Sequence, residues 1–242
     1  MAARVETAES VAEMLGAFLC AAGFNALGVL EASRYDALVP PPFRLNLLFP
    51  LARSALVLGS GGRALFDAFE RSPEAAFAQD PLDAYTRRIA NACAAWPGLG
   101  AAHAVLATER RGGLFADFVA IGRAAGLGAP SRLGLLVHPE FGPWLSLRAV
   151  VLCERVLPPT PELVGFAPCE GCPAPCAAAC HGEALSSARF DTEACLSTRL
   201  REPACQARCD ARRACVLGRE HAYHERAEAH HMRAARVLAE RG

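Results

Sequence analysis

Cys169-Glu170-Gly171-Cys172-Pro173-Ala174-Pro175-Cys176-Ala177-Ala178-Ala179-Cys180 is the stretch from which the rest of the chain is read. Four thiols in one short run, at x2, x3 and x3 spacing, are followed by Cys195, Cys205, Cys209 and Cys215. Eight of the chain's 11 cysteines therefore lie in this one segment. A cubane iron–sulfur cluster takes four thiolates, so eight close two such sites with none left over. Zinc offers a second reading, since two structural zinc sites ask for the same number of ligands and Cys-x2-Cys is a common zinc spacing. Disulfides are a third, but they need an oxidising compartment. Met1 to Ala8 carries both charge signs, with no apolar core before a small-residue cleavage site, so export is not expected.

Working outward, the 242 residues suit one substantial domain and a smaller appended one: residues 1–160, then a cysteine-rich segment over 161–242 with a closing helix. The 25 basic residues balance 25 acidic ones, which gives no electrostatic case for nucleic acid or an anionic membrane. No apolar stretch approaches the roughly 20 residues of a membrane span. A cytoplasmic protein is expected. Every basic residue is arginine, so Schiff-base chemistry and a phosphate-loop lysine are excluded. Gly59-Ser60-Gly61-Gly62 reads accordingly as a strand-to-helix turn. Cys20, Cys93 and Cys153 lie in apolar surroundings and read as buried thiols.

Apolar positions at helical spacing (Val11, Met14, Leu15, Phe18, Leu19) predict a helix over 7–22, stopped by Gly23. Phe24–Leu30 reads as extended, and Val39-Pro40-Pro41-Pro42-Phe43 as non-helical. A strand over Ala55–Leu58 leads to a helix over Arg63–Arg71. A second helix runs from Pro81 to about Ala95, with Asp80 as its N-cap. Ala101–Ala107 follows as strand and Leu114–Ala125 as helix. Leu133–Val137 and Trp144–Cys153 then read as adjacent strands joined by His138–Pro143, before the linker Leu157-Pro158-Pro159-Thr160-Pro161. A polar, histidine-bearing helix is expected beyond Gly218. Helices alternate with strands while the later strands lie close together, which favours an α+β mixed sheet flanked by helices.

Two sets of short motifs resemble known families. Ala125-Gly126-Leu127-Gly128 and Gly134-Leu135-Leu136-Val137-His138-Pro139-Glu140-Phe141-Gly142 resemble the loop and strand of epoxyqueuosine reductases, which likewise continue into a two-cluster cysteine region. Ala194-Cys195-Leu196-Ser197 matches the setting of their cysteine after the first run. Gly23-Phe24, Tyr35-Asp36-Ala37-Leu38-Val39-Pro40-Pro41-Pro42-Phe43, Asp80-Pro81-Leu82-Asp83 and His138-Pro139-Glu140-Phe141-Gly142-Pro143-Trp144 are instead similar to CblC-type cobalamin-processing proteins. Both belong to the corrinoid-binding branch of the nitro-FMN-reductase fold. The resemblance thus implies a nitro-FMN-reductase-like sheet domain followed by a small two-cluster, ferredoxin-like segment.

The resemblance also implies a function. The chain would be an iron–sulfur oxidoreductase that binds a corrinoid (cobalamin) and reduces or processes it, with electrons relayed through two [4Fe-4S] clusters. By analogy with two-cluster ferredoxins, Cys169, Cys172, Cys176 and Cys215 hold one cluster, and Cys180, Cys195, Cys205 and Cys209 the other. His138, Phe141, Gly142 and Trp144 are the candidate cofactor-binding residues. With them goes Arg148, which falls where CblC-type proteins carry an arginine implicated in glutathione binding. FMN is an alternative to the corrin, because this fold class hosts both. An electron-donor protein or glutathione is the implied partner of a corrinoid or other small-molecule substrate. Two other readings stay open: a ferredoxin-like electron-transfer protein serving a partner enzyme, and a zinc-stabilised binding protein. Epoxyqueuosine reduction itself is not expected. Where that family carries a proton-donating aspartate this chain has Arg111-Gly112-Gly113, and the family's C-terminal helical-repeat extension, which holds tRNA, is missing.

Overall fold

The computed structural model describes residues 8–110, 112–185 and 190–240. Met1–Thr7, read above for export, and Arg111, read against the family's aspartate, lie outside the described residues. The chain forms two compact units. Residues up to Leu127, with Ser146–Leu163, make the first; Gly128–Leu145 and the residues from Val164 onward make the second.

The first unit opens with α1 (Ala8–Ala21), β1 (Ala26–Glu31), α2 (Ala32–Asp36), α3 (Leu45–Leu48), β2 (Ser54–Gly61), α4 (Ala64–Glu70), α5 (Pro81–Ala94), β3 (Ala102–Leu106) and α6 (Phe118–Ala124). The second unit then contributes β4 (Ala129–Pro130) and β5 (Leu136–Val137), and the chain returns to the first through β6 (Leu145–Cys153). Four strands form one sheet in the order β1-β2-β6-β3. Val29 stands opposite Leu56 in the antiparallel β1–β2 pair, and Val105 opposite Val150 in the antiparallel β3–β6 pair. All eight residues of β2 and the last five of β6 are buried. Continuous apolar runs of this kind mark strands covered on both faces, which suits the two central positions. The result is an α+β sheet flanked by helices.

Local chemistry sets several boundaries. Asp117 begins α6 four residues later than the expected helix start, because its carboxylate accepts from the Val119 and Ala120 amides, each at 3.0 Å. The buried Asp36 carboxylate accepts from Leu45 N at 2.6 Å and Asn46 N at 3.0 Å, so α3 is capped from nine residues upstream. Pro41–Phe43, expected to be non-helical, forms a 3-10 turn, which proline permits at the first positions where no amide is needed. Asp80 does occupy the N-cap of α5, but in the left-handed region (φ 41°) and without a side-chain capping bond. Leu133–Val137 is not a full strand beside β6. Ser131–Gly134 forms a turn closed by Gly134 N to Ser131 O at 3.1 Å, leaving β5 to pair with β4 in a separate two-stranded ladder.

Candidate metal centre

The second unit is built from short helices: α7 (Pro175–Ala178), α8 (Thr192–Arg201), α9 (Ala204–Ala207), α10 (Asp210–Arg213) and the closing α11 (Glu225–Glu240). The histidine-bearing helix thus starts at Glu225, after a 3-10 turn over Arg219–His221. Each element presents cysteine. Pro175 starts α7 and carries Cys176 into it, after Ala174 turns through φ 54°. Asp191 caps α8 by accepting from Ala194 N at 2.9 Å, which fixes Cys195 in the first turn. Cys205 sits in α9. Cys209 is the N-cap of α10, its sulfur accepting from Arg212 N at 3.4 Å. Cys215 follows that helix, its amide bonded to Arg212 O at 3.2 Å.

The fold gathers these sulfurs into two sets. Cys169, Cys172, Cys176 and Cys215 line one cavity, together with Arg132 and Leu133. Burial pushes the Cys176 thiol above its ordinary pKa, and the other three members of that set add like charge. Burial likewise raises the Cys195, Cys205 and Cys209 thiols, and Cys180 acts on all three. The two sets meet across a shared apolar cluster, in which Leu133, Leu185, Ala211 and Phe190 pack against Cys176 and Cys215 from one and Cys180 and Cys209 from the other. All eight are free thiols. Thiols raised by burial and by one another ionise readily only when a cation supplies the missing charge, so this donor set suits a metal group.

The ligand loops are tied together by polar contacts that sequence reading did not find. His181 Nε2 meets Asp210 Oδ2 at 2.8 Å, linking the residue after Cys180 to the residue after Cys209. That hydrogen bond, with Arg208 alongside, holds the Asp210 carboxyl below the usual carboxylate range. Glu228, 1 % exposed, accepts from Cys209 N at 3.0 Å and receives the Arg213 guanidinium at 2.9 and 2.5 Å. The only sequence signal for any of these is that His181 and Asp210 each directly follow a cysteine.

Four of the five candidate corrin-site residues fall in this same unit. Burial lowers the His138 pKa below its ordinary value, and Nδ1 accepts from Glu140 N at 3.1 Å and Phe141 N at 3.2 Å, so the neutral ring closes its own turn. The ring stacks on Phe141 at 4.7 Å, and Phe141 meets His221 edge-on at 4.9 Å. Trp144 is buried edge-on against Tyr223 at 5.3 Å. The Arg212 guanidinium lies over both rings and donates to Pro143 O at 3.0 and 2.5 Å. Gly142 (φ 56°) packs against the Leu217–Gly218 backbone. Arg148 belongs to the first unit, on β6, where Nη2 donates to Asp83 Oδ1 at 2.5 Å and Thr108 holds the other Asp83 oxygen at 2.9 Å. The structure thus brings the eight cysteines together, gives His138, Phe141, Gly142 and Trp144 packing contacts, and gives Arg148 a carboxylate partner.

No protein-family model and no curated protein matches this sequence. Solved structures do match by shape. An epoxyqueuosine reductase in complex with an epoxyqueuosine-modified tRNA-Tyr stem loop superposes with TM-score 0.56 and 14% identity, over 92% of this chain and 69% of that one. The C. elegans B12-trafficking protein CblC gives TM-score 0.52 and 16% identity, over 96% of this chain and 94% of that one. The catabolic reductive dehalogenase NpRdhA, in complex with 3-bromo-4-hydroxybenzoic acid, gives 0.53 and 17%, over 96% of this chain and 34% of that one. The chain therefore shares the nitro-FMN-reductase-like fold that the strand and loop motifs imply. Among the described residues, no helix is long and apolar enough to cross a membrane.

Proposed function

We propose that this chain is an iron–sulfur oxidoreductase that binds a corrinoid and reduces or processes it, with two [4Fe-4S] clusters as its electron supply. The observation that carries the reading is the sorting of eight free thiols into two quartets, two members of each packed against one apolar cluster. Cys169, Cys172, Cys176 and Cys215 would hold one cluster, and Cys180, Cys195, Cys205 and Cys209 the other. When bound, such clusters supply single electrons at potentials set by their charge, hydrogen bonding and exposure, which is what lowering the oxidation state of cobalt requires.

The chain's own residues supply the rest. Leu133, Leu185 and Phe190 pack against Cys176, Cys180, Cys209 and Cys215, and the Glu228 and His181 contacts hold the ligand loops in place. Support for the corrinoid half comes from the sequence motifs shared with CblC-type proteins and from the fold shared with a B12-trafficking protein. In this reading Arg148 meets a corrin amide or a glutathione carboxylate beside Asp83, whose carboxylate takes one of its N–H donors and offsets its charge. A zero formal charge supplies no strong field for tRNA, despite the stem loop bound by one structural neighbour.

Titration of cobalamin into the anaerobically purified, cluster-loaded chain tests this. The corrin spectrum is expected to shift to its base-off form with a one-to-one endpoint, and FMN added in parallel is expected to leave its own spectrum unchanged. A brown protein that leaves the cobalamin spectrum untouched rejects the corrinoid half and favours an electron-transfer role. A shifted flavin spectrum in its place moves the reading to an FMN reductase.

A further inference from the structure

Two arginines of the second unit, Arg132 and Arg199, carry an Nε–H that is buried and meets no acceptor. Native proteins pair nearly all such groups, and leaving one unpaired on a charged side chain is costly. One of the two stands beside each cysteine quartet. Arg132 lines the cavity of Cys169, Cys172, Cys176 and Cys215, and its backbone amide points at Cys169 Sγ from 3.5 Å. Arg199 lies one helical turn beyond Cys195 on α8, where its side chain already reaches the Cys195 thiol as a hydrogen-bond partner, though not through Nε, and its charge acts on Cys195 and Cys209. Its Nη2 is anchored to α11, donating to Met232 O at 2.8 Å and approaching Met232 Sδ at 3.1 Å. Among the described residues, no carboxylate forms an ion pair with either guanidinium. The acceptor missing at each Nε–H is what a bound cluster would bring, namely thiolate and sulfide sulfur.

We propose that Arg132 and Arg199 each donate a buried guanidinium N–H to the sulfur shell of the iron–sulfur cluster beside them, and so raise the two reduction potentials separately. This rests on the reading that both quartets hold [4Fe-4S] clusters. Reduction adds one electron to the cluster, and an uncompensated positive charge with an N–H···S bond favours the more negative state. Neither effect reaches far, because the two arginines are fixed to different quartets. Arg212 does not share the role: its guanidinium is already committed to Pro143 O and the rings of Trp144 and Tyr223.

The test is an EPR-monitored redox titration of the full chain, reconstituted anaerobically, as wild type and as Arg132→Met, Arg199→Met and the double variant. Methionine keeps the apolar stem and removes both the charge and the N–H. Each single variant is expected to lower one midpoint, a different one in each case. The reduction equilibrium should shift about tenfold, which for one electron is 59 mV. The double variant should lower both. Unmoved midpoints in variants that retain wild-type iron and sulfide overturn the proposal, as does a single substitution that moves both midpoints equally. If a methionine variant fails to hold its cluster, Arg132→Lys or Arg199→Lys decides: charge remains but Nε–H is gone, so a lowered midpoint supports the proposal and an unchanged one overturns it. A wild-type protein without iron or a cluster signal rejects the underlying cluster assignment, a result distinct from intact clusters with unmoved midpoints.

Discussion

Serine in place of Cys176 is expected to remove one of the two proposed clusters and spare the other. Cys176 is the buried member of its quartet and lines one cavity with Cys169, Cys172 and Cys215. Serine is a poor ligand to iron in such a cage, and a three-thiolate site holds its cluster weakly. Iron per chain should fall to about half the wild-type value, since one of two equal four-iron cages is lost. Cys209→Ser should on its own likewise halve the wild-type value, by emptying the other quartet, where Cys180, Cys195 and Cys205 surround that residue. The double variant should be nearly colourless. Iron and sulfide assays with EPR of the reduced protein read this out. A Cys176 variant that keeps full iron, or one that loses both clusters while its circular dichroism stays native, contradicts the division into two quartets.

Alanine at Gly142 or Gly218 is expected to be the most damaging change to stability. Gly142 has φ 56° and Gly218 φ 62°, and the two face each other. A Cβ on Gly142 would strike the Leu217 carbonyl, with its carbon 2.6 Å away, and one on Gly218 would strike the Phe141 carbonyl and sit 2.5 Å from Gly142 N. Every atom struck is backbone, so no side chain can rotate out of the way. Left-handed strain of roughly 1–2 kcal/mol adds to the clash, for a total of about 3–5 kcal/mol, the range of severe single substitutions. Displacing Leu217–Gly218 also drags Cys215, so the first cluster should be lost before the second. Gly165 provides the control: it has φ 76° but nothing within 4 Å, and its alanine variant should cost about 1 kcal/mol. Thermal unfolding of the three variants, followed by circular dichroism, would show this order. Equal losses at Gly142 and Gly165 would mean that the backbone contact contributes nothing.

Much of this was legible in the sequence, for physical reasons. Helical spacing of Val11, Leu15 and Leu19 marked α1 because those three residues are its fully buried stripe. The apolar run Ala149–Cys153 marked a strand because its residues are buried, though its central place in the sheet was not read from the sequence. Cysteine spacing marked the thiols that the fold gathers, since residues at x2 and x3 separations come together on a turn and a short helix. What escaped was set by contacts between residues distant in sequence. Arg132 is 37 residues from Cys169, and nothing local marks it as that cysteine's neighbour. Arg199, by contrast, was within reach, since a charge four residues after a ligand on one helix lies on the same face. The aromatic residues near His138 carried the family likeness, yet pattern alone could not reveal that Arg212 and Tyr223 enclose Trp144.

The direct test of the central claim is the metal and sulfide content of the chain purified without oxygen. Two four-thiolate cages predict about eight iron atoms and eight acid-labile sulfides per chain, negligible zinc, and an EPR signal that grows in on reduction. A colourless protein with about two zinc ions per chain and no sulfide would contradict it.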